Sequence, residues 1–140
     1  MEASNFDLRI YHKLPQLVLG FHGCDKSVAD RILCSPSEHL LASNNSYDWL
    51  GNGIYFWLND PERACGFNLI RPLDCAVFLH LHEMMKEKGI SFDTIYGYFQ
   101  EGSDAFVGAG IKEKSHIQIC VRNTDCIKGY FLPRSMAMCA

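Results

Sequence analysis

The sequence predicts an α+β domain. Short runs rich in β-branched and aromatic residues recur at Ile54–Trp57, Thr94–Phe99 and His116–Arg122. One long stretch, Asp74–Lys88, carries helical periodicity. Loops rich in Asn, Ser and Gly separate them, as between Ser43 and Gly53. Strands alternating with short helices in this way suit helices packed on a small sheet.

Each element has a local reason. Leu17–Gly23 is an apolar run ending in His22 and Gly23, which suits a buried strand whose last residues face a cleft. Asp25 can cap the following helix, in which Val28, Ala29, Ile32 and Leu33 share a face, and Pro36 stops it. Gly53–Trp57 reads as a short strand. Asp60 is placed as an N-cap with Pro61 at the first helical position. In Asp74–Lys88, Val77, Phe78, Leu81, Met84 and Met85 predict the buried face, with Gly89 closing the helix. In His116–Arg122, His116, Gln118 and Cys120 alternate with Ile117, Ile119 and Val121. Ile127–Leu132 is expected as a closing strand ended by Pro133.

Composition narrows the function classes. The 140 residues fit one domain, with residues 1–14 as an N-terminal arm. Charged residues make up 21% and hydrophobic residues 48%, which argues for a packed core rather than disorder. A net charge of −3 gives no footprint for non-specific nucleic-acid binding. No apolar run reaches a membrane span, and no basic segment followed by an apolar one heads the chain, so a cytoplasmic protein is expected. The seven cysteines are scattered with no Cys-x-x-Cys pair, which predicts free thiols and no metal site. His80 and His82 do not share a helical face, which disfavours chelation. Cys24, beside His22, ranks low as a nucleophile because no orienting acid is evident.

The run Leu19-Gly20-Phe21-His22-Gly23-Cys24, then Tyr47-Asp48-Trp49-Leu50-Gly51-Asn52-Gly53-Ile54-Tyr55-Phe56-Trp57, then Pro61-Glu62-Arg63-Ala64, then Ser115–Asn123 resembles the His-Tyr-Glu class of ADP-ribosyltransferases. That class includes the catalytic fold of the poly(ADP-ribose) polymerases (PARP-like) and the diphtheria-toxin-like enzymes. The likeness is closest to small bacterial and phage-associated members. It implies an ADP-ribosyltransferase-like split β-sheet cleft with flanking short helices. It also implies NAD as cofactor, a protein or nucleic-acid acceptor, no membrane partner, and use as a toxin or effector. Because so few residues lie between Phe67 and Leu73, a reduced central segment is expected.

By this resemblance the catalytic residues are His22, Tyr55 and Gln118. His22 would bond a ribose hydroxyl, and the main chain of Gly23 would hold the carboxamide. Tyr55 would stack on the cationic nicotinamide ring. Ser43, Tyr47 and Arg63 would complete cofactor binding, Arg63 toward the pyrophosphate. Loop hydrogen bonds are an equal expectation for Ser43 and Asp48, and a solvated helix face for Arg63. Breaking the N-glycosidic bond builds positive charge on the ribose, while nicotinamide leaves neutral and needs no general acid. Gln118 departs from the family's glutamate and brings no charge. Glu101, or an acid of the target, is then the available source. The departure leaves a second expectation open, a non-catalytic module of the same fold that binds NAD or ADP-ribose.

Overall fold

A computed structural model describes residues 17–65 and 72–132. The strands are β1 (Gly20–Phe21), β2 (Ile54–Leu58), β3 (Thr94–Phe99) and β4 (His116–Val121). The helices are α1 (Lys26–Cys34), α2 (Pro61–Ala64) and α3 (Pro72–Glu87), and a 3-10 turn covers Thr124–Cys126. The architecture is α+β. The four strands form one antiparallel sheet in the order β1-β2-β4-β3.

Strand alternation divides the core into two layers. Ile54, Phe56 and Leu58 of β2 join Ile119 and Val121 of β4 on one face. Val28 and Ile32 of α1, Leu40, Ile127 and Tyr130 cover that face. On the other face Tyr55 and Cys120 pack with Ile95 and Phe99 of β3, Cys75 and Phe78 of α3, and the loop residues Trp49 and Leu50. Register places Tyr55 opposite Cys120, Trp57 opposite Gln118, and Phe99 opposite His116.

Several expectations need correction. The first strand is far shorter than Leu17–Gly23. Only Gly20 and Phe21 pair as strand residues, with Leu58 and Trp57 near the end of β2; the Leu19 carbonyl accepts one further bond from the Asn59 N–H, and Leu17 is 68% exposed. Ile127–Leu132 forms no strand. The 3-10 turn, closed by the Asn123 side chain accepting from the Asp125 N–H, redirects the chain. Ile127 and Tyr130 then reach the core by side chain alone. On α3 the packed face carries Cys75 and Phe78, while Val77, Leu81 and Met84 are exposed. Apolar residues lie on both sides of this helix, so periodicity did not select the buried one. Cys65 is disulfide-bonded rather than free, whereas Cys24, Cys34, Cys75, Cys120 and Cys126 are free thiols. Asp25 sits at the N-cap of α1 without a side-chain cap bond. Asp60 caps α2 as expected, accepting from the Arg63 N–H at 3.0 Å.

Gly51 shows why the Trp49–Gly53 segment is glycine-bearing. Its φ is +78°, and a Cβ there would lie 2.3 Å from Cε1 of His82 on α3. Left-handed backbone alone costs a non-glycine residue about 1–3 kcal/mol. Gly51→Ala is therefore expected to lose about 2 kcal/mol or more, measured as a lower denaturation midpoint at unchanged slope.

Candidate functional site

The residues singled out from sequence lie at the β1, β2 and β4 end of the sheet. The order β1-β2-β4 sets His22, Tyr55 and Gln118 on or just beyond adjacent strands. His22 follows the last residue of β1. Its Nδ1 donates to the Tyr55 carbonyl at 2.7 Å, which leaves Nε2 as the acceptor of the neutral ring. Its ring lies 5.8 Å from that of Phe56. Gly23 is pressed against α2: a Cβ there would stand 2.0 Å from the Ala64 carbonyl oxygen. Only glycine permits this approach.

Tyr55 is half-buried on β2. Its hydroxyl accepts from the Leu50 N–H at 2.8 Å and donates to the Gly51 carbonyl at 2.7 Å. The phenol thus clasps the Trp49–Gly51 segment, and its ring packs against the second core layer. Burial, with the neighbouring Cys120 next, pushes the Tyr55 hydroxyl well above the ordinary tyrosine range. Burial likewise pushes the Cys120 thiol up to about 11.

These shifts have a definite sign. Both groups bind their proton more tightly when folded, so the stability they contribute is complete below the unfolded value and declines above it. For Cys120 the decline is expected between 9.0 and about 11. Tyr55 extends it to higher pH. A denaturation midpoint that is flat to pH 9 and then falls checks this. Cys120 should also resist alkylation at pH 8, while the exposed Cys34 and Cys126 react.

Gln118 is 1% exposed. On the shared face it is a diagonal neighbour of Tyr55, a relation that places such pairs about 7–8 Å apart. Opposite it on β3 stands Gly97, where Leu50 fills the space a side chain would take. Trp49 closes the same face, its ring 4.6 Å from Phe99 and 5.9 Å from His116.

Around Gln118 lies a polar cluster. Its Nε2 is 3.3 Å from Nε2 of His116. His116 Nδ1 is 2.9 Å from the Lys114 carbonyl oxygen and 3.2 Å from Nη2 of Arg63. Arg63 forms a salt bridge to Oε2 of Glu101, and that oxygen lies 3.9 Å from His116 Nδ1. The Glu101 side chain is 5% exposed and that of Arg63 18%. Glu101 Oε1 and Arg63 Nε are buried without hydrogen-bond partners. Sequence spacing brought His116 and Gln118 together through alternation. The Arg63–Glu101 pair carried no local signal, because a helix and a distant loop supply it.

The remaining site residues are placed as follows. The Ser43 hydroxyl donates to Asp48 at 2.8 Å, and Ser43 exchanges two backbone bonds with Gly53, so it serves the loop. Tyr47 is 58% exposed on that loop. Arg63 lies against Glu101 rather than on a solvated face. A cavity of about 510 Å³ lies elsewhere, lined in part by Asn52, His82, Lys86, Phe92 and Arg122. His22, Tyr55 and Gln118 do not line it. Among the described residues no group of three or more His, Cys, Asp or Glu is arranged to hold a metal ion. Among them, no helix is long and apolar enough to cross a membrane. No family model, curated protein or solved structure matches the chain.

Proposed function

We propose that the chain is a small ADP-ribosyltransferase-like protein that takes NAD at the β1–β2–β4 end of the sheet. One observation carries this. Residues 22, 55 and 118, far apart in sequence, lie on or just beyond three adjacent strands in the His-Tyr-x order of that class. His22 offers a fixed Nε2 acceptor for a ribose hydroxyl. Gly23 offers bare backbone. The Tyr55 ring offers a stacking face for a cationic nicotinamide.

In the proposed reaction the bond between C1′ of the ribose and the nicotinamide nitrogen breaks. Its electron pair leaves with nicotinamide, which departs neutral. A nucleophile of the acceptor, protein or nucleic acid, adds to C1′ and gives up its proton. The site's contribution is geometry, shielding from water and stabilisation of the cationic sugar.

A second reading, NAD or ADP-ribose binding without cleavage, is favoured by one observation. Gln118 lies under Leu50 and Trp49, and among the described residues the carboxylate of its polar cluster, Glu101, is bound to Arg63. Proton NMR of NAD incubated with the protein and a cell extract separates the two. Nicotinamide release is expected. Saturable NAD binding without release would transfer the assignment to the binding module, and no binding would remove both.

A further inference from the structure

The cavity of about 510 Å³ is built from α3, the segment that enters β3, and residues flanking β2 and β4. Leu79, His82, Glu83 and Lys86 recur at helical spacing, so one face of α3 lines it. Ile90, Ser91 and Phe92 line it from the approach to β3, and Arg122 from the end of β4.

An exposed arginine ordinarily swings in water, but Arg122 is held by two neighbours. Its Nη1 lies 3.0 Å from Nδ1 of His82, and its Cζ stands 5.0 Å from the centre of the Phe92 ring. A guanidinium only donates, so Nδ1 accepts. Burial, with the Arg122 charge next, holds His82 below the ordinary histidine range, so the ring is neutral at pH 7. His82 is itself fixed, with the Phe92 ring 5.2 Å away and Gly51 pressed against its Cε1. Asp93, whose carbonyl accepts from the Arg122 N–H at 2.8 Å, gives its carboxylate to Asn123 Nδ2 rather than to the guanidinium. Neither Arg122 nor Lys86 pairs with a carboxylate among the described residues. The carbonyls of Met84, Met85 and Lys86, which would repel an anion at this helix end, accept from the N–H groups of Lys88, Ile90 and Gly89 in turn. Two cations therefore outnumber Glu83, the acid among the described lining residues.

We propose that this cavity binds an organic phosphate monoester, its phosphate on Arg122 and Lys86 and its carbon body against Leu79 and Ile90. A planar carboxylate is satisfied by one guanidinium edge. A phosphate monoester carries a charge of about −1.5 to −2 at pH 7 and spreads its acceptors in several directions. That suits cations supplied by two elements, with the Ser91 hydroxyl and Asn52 amide as further donors in the lining. Stacking on Phe92 leaves the N–H edges of Arg122 able to donate, and its held position lowers the ordering cost of binding.

Phenyl phosphate is the probe, and amide NMR of the ¹⁵N-labelled full-length protein is the readout. Saturable shifts are expected at Ser91, Phe92 and Arg122 with a Kd below about 1 mM, and none at His22, Gly23 or Tyr55. Inorganic phosphate and benzoate should each bind there about tenfold more weakly. Arg122→Met and Lys86→Met keep the aliphatic stems, and each should weaken phenyl phosphate by about tenfold or more. The same spectra show whether each variant is folded. No saturation by about 10 mM, or equal Kd values for parent and both variants, would overturn the proposal. Shifts centred on His22 and Gly23 would overturn it too, by moving the phosphate to the proposed NAD site. Inorganic phosphate binding as tightly as phenyl phosphate would remove the organic body, and benzoate doing so would remove the phosphate head. None of these outcomes depends on nicotinamide release.

Discussion

Arg63→Ala is expected to cost the fold about 3–5 kcal/mol, a large fraction of the 5–15 kcal/mol that holds a typical domain together. The Glu101 side chain is 5% exposed, and one of its oxygens has no hydrogen-bond partner. Removing the guanidinium strands a carboxylate where water does not reach it. The pair itself is a different matter. Two charges taken out of water recover little more than their desolvation, so replacing both with apolar residues of similar size is expected to be far milder. The double variant Arg63→Met/Glu101→Leu should recover most of what Arg63→Ala loses. Denaturation midpoints of parent, single and double variants at pH 7 decide it. A single-variant loss below about 1 kcal/mol would show a pair that solvent already screens.

On the proposed NAD reading, His22→Ala is expected to lower nicotinamide release by about a hundredfold or more, the scale set by losing the one fixed contact proposed for the reacting sugar. His22 has a second task, because its Nδ1 ties the end of β1 to the Tyr55 carbonyl. Alanine removes both. His22→Asn separates them, since an asparagine amide can still donate near the Nδ1 position while nothing remains at Nε2. The asparagine variant should hold the parent's denaturation midpoint and still lose release. Restored release in that variant would assign His22 to the strand junction alone.

The elements that announced themselves were those whose residues decide locally. β2, β3 and β4 were legible because aromatic and β-branched residues cluster there between turn formers. The start of α2 was legible because Asp60 and Pro61 do what a cap and a first helical residue do anywhere. Alternation placed His116 and Gln118 on one face. What depends on partners was hidden. Leu17–Leu19 have strand composition, but β2 has already ended where they would pair. Ile127 and Tyr130 are apolar for the core, not for a ladder. The exposed Val77 and Leu81 are no less apolar than the packed Phe78, so the sheet, not the helix, chooses the inner side of α3. The least legible feature was chemical. Arg63 and Glu101 look like ordinary surface charges until the loop after β3 folds back onto α2.

The order of strands also bears on biosynthesis. β3 and β4 are consecutive and close upon each other through one intervening loop, so their pairing is local. β2 has only the two-residue β1 made before it as a partner. Its long-side partner is β4, which leaves the ribosome only after α2, α3 and β3 have been made. Throughout that interval Ile-Tyr-Phe-Trp-Leu presents a bare edge with high strand propensity and no charge. The nascent chain is therefore most prone to self-association just before its last strand emerges, and the surface at risk is the one that carries Tyr55.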